Sequence, residues 1–192
     1  GDEPLTIRNI QELSAGAAGA VKGMGIKVYE MDIRPFLEAA GVRAVSAVIE
    51  GIYTGAYEIC FPGEEPKEIP DVTLTGIDEN LYPKAQGELK QGISLAEAQV
   101  WARNMVNAPG NLLHPMDFAR EIMERMKDTS VECELIVYSK LNAMGMEALT
   151  SVGKSSENPP CMLVMRYRGA EDAPITGLVG KGVTCDTGGY CR

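Results

Sequence analysis

Lys181 stands between Gly180 and Gly182, and Asp186 follows five residues later, just ahead of Gly188 and Gly189. The run is GLVGKGVTCDTGGYCR, residues 177–192. An amine and a carboxylate on a glycine-rich backbone suit three roles: cradling a phosphate, turning the chain, or supplying part of a metal site. A phosphate loop of the Walker type needs four residues between its first glycine and the Gly-Lys pair, then Ser or Thr after the lysine. Only two residues separate Gly177 from Gly180, and Gly182 follows the lysine, so that pattern fails. Cys185 and Cys191 flank Asp186, but a thiolate zinc site usually draws on histidines as well, and the chain has one, His114. A glycine-rich turn with a solvated lysine and a capping aspartate is the plain structural alternative.

The elements needed to position this run are legible upstream. Thr6 is a helix cap before Ile7, Ile10, Leu13, Ala17 and Val21, whose three- and four-residue steps end at Gly23 and Gly25. Residues 26–33 read as a strand, 43–53 as a helix, 62–70 as a loop and 71–77 as a short strand. Ser94 and Glu97 form a capping-box pattern ahead of a helix with the apolar stripe Leu95, Ala98, Trp101, Ala102, Met105 and Val106. Pro109 and Gly110 stop it, and it reads as a connector between two α/β segments. A helix follows over 114–127, with Pro115 in its first turn and Phe118, Ile122, Met123 and Met126 on one face. Next come a strand over 131–138 and a short helix over 139–144. Two apolar runs, 161–167 and 175–180, read as strands, the first buried on both faces. Lys181 would then lie at the carboxyl end of a buried strand, where open α/β sheets gather ligands. His114 reads as a cap or surface residue, and Met105, Met123 and Met126 as packing.

Composition narrows the classes. With 45% hydrophobic and 23% charged residues among 192, the chain has the make-up of a folded protein large enough for one full core or two small domains. Eighteen basic residues against 27 acidic ones give a net charge of −9, which argues against a nucleic-acid backbone as partner. The longest apolar candidate, residues 42–53, is interrupted by Arg43, Glu50 and Gly51 and falls short of the roughly 20 residues of a membrane helix. Five cysteines, an odd number with no CxxC, fit a reducing compartment, and the expectation is cytoplasmic. The start GDEPLTIRN has neither an initiator Met nor an apolar signal segment, so the chain is expected to begin within a longer gene product.

Three motifs together carry a family resemblance. VGKGVTCDTGG (179–189) resembles the metal-binding signature of the cytosol, or leucyl, aminopeptidase family, the two-metal exopeptidases. NMVNAPGNLLHP (104–115) is similar to that family's Asn-x-Pro-x-Asn segment. LNAMGMEALTSVGKSSENPPCMLVMRYRG (141–169) is similar to its Leu…Gly-Met…Val-Gly…Ser…Pro-Pro…Tyr segment, in the same order. The resemblance runs from Leu95 to Arg192 and weakens before Lys90.

It implies an α/β fold with three parts. Residues 1–90 would be an N-terminal α/β (macro-like) domain, incomplete at its start, 91–110 a linker helix, and 111–192 the beginning of the catalytic metallopeptidase domain. By the same resemblance Lys181 and Asp186 are metal ligands of a site for two divalent ions, Mn or Zn. A lysine amine ligates only when neutral, and in water it keeps its proton to about pH 10, so dications and burial must remove it. The aspartate supplies hard oxygen. In the family such a pair polarises the peptide carbonyl, generates a bound hydroxide and holds the substrate's α-amine, releasing an N-terminal residue such as leucine.

The family's catalytic lysine would fall one residue past Arg192, and its remaining carboxylates and catalytic arginine later still. Cys185 stands where the family has a bulky apolar residue. Two protein donors cannot satisfy metals that take about four to six. The expectation is an inactive fragment lacking its metals, with peptides as substrates and a hexamer as the assembly of the whole enzyme. The alternative is a non-catalytic α/β module for assembly or regulation, in which the Lys181–Asp186 turn is only structural.

Overall fold

The computed structural model describes residues 5–184. Its backbone forms two compact units, one ending at Asn107 and the other starting at Ala108. The architecture is α/β.

The first unit begins with α1, Ile7–Gly23. Thr6 caps it through a reciprocal box with Asn9: the Asn9 backbone N–H donates to the Thr6 hydroxyl at 3.2 Å, and the Thr6 N–H donates to the Asn9 Oδ1 at 3.0 Å. Gly25 closes the far end at φ +72°, a left-handed conformation that glycine adopts without penalty. Strand β1, Val28–Asp32, pairs in parallel with β2, Asp71–Thr75, in the register Val28↔Asp71 through Asp32↔Thr75. Parallel pairing requires a crossover. It is supplied by α2, Arg34–Ala40, and α3, Ala44–Gly55. Sequence periodicity missed α2, whose seven residues are too few to show a stripe.

The core of this unit is α3, with Val45, Val48 and Ile52 fully buried between α1 and α4, Tyr82–Asn107. Small residues let the helices approach. A Cβ on Gly55 would come 2.6 Å from the Ala15 Cα, and one on Gly92 would come 2.8 Å from the Ser46 Cα. No rotamer change relieves a clash with backbone, so these positions admit only glycine at the present spacing.

Helix α4 corrects the sequence reading. It starts at Tyr82, so Ser94 lies in its interior, is exposed, and caps nothing. Its buried residues are Ala85, Gly92, Ala96 and Met105, with Leu89 half-buried; of the predicted stripe Met105 is buried, while Leu95, Ala98, Ala102 and Val106 are exposed. The capping pattern misled because nothing in Tyr82–Ile93 except helical spacing distinguishes it from a loop, and the weakly apolar Ala and Gly positions carry the packing.

The second unit opens with α5, Pro115–Met126, with His114 at its N-cap and Pro115 in the first turn as expected. Strand β3, Val131–Ile136, leads through α6, Tyr138–Ala143, and α7, Glu147–Gly153, to β4, Met162–Tyr167. The strands are antiparallel, from Val131↔Tyr167 to Ile136↔Met162. Ala108, Leu113, Ala119, Ile136 and Leu141 are its buried apolar residues among those described.

Two expectations fail here. The run 161–167 is not buried on both faces: Met165, Arg166 and Tyr167 are exposed, because among the described residues β4 pairs with β3 alone. The run 175–180 forms no strand. Ile175 is 99% and Leu178 93% exposed, since no described strand offers it a ladder. An apolar run signals a capacity to pair; pairing itself needs a neighbour.

Candidate functional site

The second expected donor, Asp186, lies outside the described residues, as do Cys185 and Cys191. The structure therefore tests Lys181 alone. Its side chain is exposed, and no carboxylate among the described residues pairs with it. The backbone before it is unobstructed, with nothing within 4 Å of a Cβ built on Gly177 or Gly180. Gly182 differs: a Cβ there would lie 3.4 Å from Phe118 Cε1 and 3.8 Å from Cδ1. Lys181 thus sits in an exposed irregular segment one residue before the chain comes beside Phe118 of α5, an available amine as a metal donor requires. Among the described residues, however, no group of three His, Cys, Asp or Glu side chains could hold a metal ion. The described residues alone do not close a metal site.

The other two motifs are structural in their described contacts. In residues 104–115, Asn104 Oδ1 accepts from the Tyr57 hydroxyl at 2.9 Å and from the Cys60 backbone N–H at 3.2 Å. Asn107 Nδ2 donates to the same Tyr57 oxygen at 3.1 Å, while the Arg103 guanidinium lies 5.5 Å from the Tyr57 ring centroid. The asparagines thus tie the end of α4 to the loop after α3. Sequence reasoning saw the motif but had no signal for Tyr57, 47 residues upstream of Asn104.

In residues 141–169, Leu141 is fully buried and Gly145 adopts φ +72° to end α6. A Cβ on Gly153 would come 2.7 Å from Pro160 Cδ, so the Val-Gly and Pro-Pro parts of the motif are packing partners. The Cys161 thiol donates to the Pro115 carbonyl at 3.3 Å and joins the start of β4 to α5. Burial pushes this thiol's pKa up, which suits a packing residue rather than a nucleophile. His114 Nδ1 lies 3.0 Å from Asp117 Oδ2, a local pair within the first turn of α5.

Elsewhere, a cleft of about 60 Å³ lined by Lys22, Ile26, Lys27 and Glu68 lies in the first unit. It is far below the roughly 300 Å³ at which small-molecule sites begin.

Comparison with known proteins supplies what local geometry leaves open. Residues 100–191 match the family model of the cytosol aminopeptidase family, catalytic domain. All three motifs fall within that range. Curated relatives extend the likeness along nearly the whole chain. A probable cytosol aminopeptidase of Solibacter usitatus (strain Ellin6076) is 33% identical over 195 residues, covering 92% of this chain and 40% of the relative. One from Acidobacterium capsulatum is 34% identical over 190 residues, covering 96% of this chain and 37% of the relative. These matches assign the chain to the cytosol aminopeptidase family. It spans about two fifths of the length of these relatives.

Solved structures agree on the fold. A mutant of tomato leucine aminopeptidase superposes with a TM-score of 0.71 at 18% identity, covering 89% of this chain and 36% of that one. The bottromycin maturation enzyme BotP in complex with Mn gives 0.68 at 23% identity, covering 83% and 33%. No helix among the described residues is long and apolar enough to cross a membrane.

Proposed function

We propose that this chain contributes the opening of the catalytic domain of a metal-dependent aminopeptidase, with Lys181 and Asp186 as two donors to a two-metal site. The observation that carries this reading is the catalytic-domain match over 100–191, which contains the three motifs in the family's order. The exposed amine of Lys181, which pairs with no carboxylate among the described residues, is compatible with it. When bound, the metals supply Lewis acidity and an activated water for cleavage of an N-terminal residue from a peptide. Mn is favoured beside Zn because the neighbouring BotP structure is a complex with Mn.

In the same reading, residues 1–90 form an N-terminal domain, 91–110 the connecting helix, and 111–192 the catalytic opening. The whole protein acts in the cytosol, as its relatives' names say of them, and assembles as a hexamer. Two donors fall short of the four to six that each metal takes. The 192-residue polypeptide on its own is therefore inactive. Leucine-p-nitroanilide hydrolysis by the isolated chain, with and without added Mn²⁺, tests this. No turnover above the metal blank is expected, and robust turnover by the chain alone overturns the partial-site reading.

A further inference from the structure

Beyond β4, every described residue from Arg168 to Val183 is exposed. Gly177 and Gly180 face open space, while Gly182 abuts one edge of the Phe118 ring at 3.4 and 3.8 Å from a Cβ position. Just beyond, Thr184 is again half-buried. The ring is itself held. Phe118 is half-buried on α5 beside Ala119, which is 3% exposed, and the Cys161 thiol fastens the first turn of α5 to the start of β4. An aromatic ring has only two side-chain torsions to lose, so it makes a rigid seat for the backbone beside it.

We propose that Phe118 is a positioning residue for the segment that carries Lys181. Its ring is the seat at which the exposed run returns to the body of the second unit, and so it sets where the Lys181 amine lies. The consequence for metal binding rests on the reading of Lys181 as a donor; the seating itself does not.

Trypsin offers a test within the 192-residue chain, because Arg168–Gly169 and Lys181–Gly182 are both exposed bonds in one segment. Cleavage of native protein requires local opening, so the seated bond is the slower one. Phe118→Leu should speed cleavage after Lys181 several-fold, on the order of three- to tenfold, and leave cleavage after Arg168 unchanged. Phe118→Tyr should restore the wild-type ratio. If Phe118→Leu accelerates both bonds by loosening α5, the ratio of the two rates must still shift toward cleavage after Lys181.

Equal rates after Lys181 in wild type and Phe118→Leu, or an unchanged ratio of the two cleavages, would overturn the proposal. A cleavage ratio that behaves as expected while Lys181 proves dispensable for activity would instead sink the donor reading and leave the seat standing.

Discussion

Replacing Gly55 by alanine probes the packing that holds the first unit together. Its Cβ would lie 2.6 Å from the Ala15 Cα and closer still to the Ala15 carbonyl oxygen. The carbonyl oxygen is the limiting contact, and ordinary contacts begin above about 3 Å, so α1 and α3 must separate locally by at least about 1 Å. A gap of that size forfeits a quarter to a half of the dispersion well across the contact, and it opens beside Ile10, Ala18, Val48 and Ile52, all essentially unexposed.

Overpacking of this kind costs about 1–3 kcal/mol, and a rigid backbone partner puts it near the top. Alanine returns about 1 kcal/mol of helix propensity, leaving a net loss of about 2 kcal/mol. With a urea dependence of about 2 kcal/mol/M, the midpoint should fall by about 1 M. The single tryptophan, Trp101 on α4, reports on this unit by fluorescence.

Gly16→Ala is the control within α1, because a Cβ at Gly16 meets nothing within 4 Å. It should raise the midpoint by about 0.5 M from propensity alone. If Gly55→Ala also raises the midpoint, the helices are not held at glycine contact and the packing argument fails.

Two further predictions concern the motif residues and the β3–β4 pair. Asn104→Ala removes the acceptor for both the Tyr57 hydroxyl and the Cys60 N–H, and should cost about 1–2 kcal/mol by the same fluorescence assay. Asn104→Asp, which keeps the acceptor, should recover most of that loss; equal losses in the two variants would refute the hydrogen-bond account. Glu134 is held below the usual carboxylate range by hydrogen bonds from Arg166 and Lys140. Its stabilising contribution is thus present above the ordinary glutamate value and lost as pH falls through the lowered one. Arg166→Gln should move the Glu134 carboxyl titration, followed by ¹³C NMR, upward, and an unmoved midpoint would contradict the pairing.

Legibility in the sequence followed the length and contrast of each pattern. Thr6 with an apolar period behind it, and His114-Pro115 before Phe118 and Ile122, placed α1 and α5 closely. Helix α4 was half-read because its buried line uses Ala85, Gly92 and Ala96, residues with little hydrophobic contrast, while the stronger Leu95 and Val106 face solvent. The run 175–180 was misread because burial of a strand is a property of its neighbours. At the site, Lys181 and Asp186 were identified through a resemblance, not from their spacing. Phe118 appeared in the sequence only as part of a helical stripe, and no local signal links it to Gly182, 64 residues on in the chain.

The central claim is that Lys181 and Asp186 serve one metal site. It is tested most directly by leucine-p-nitroanilide turnover in a protein extending this chain with the remaining catalytic-domain length of its relatives. Lys181→Ala and Asp186→Ala should each lower Mn²⁺-dependent kcat by at least about a hundredfold, the scale for losing a group that stabilises transition-state charge. Lys154→Ala, an exposed lysine in the same unit, should leave turnover unchanged. Full activity in either of the first two variants would contradict the account.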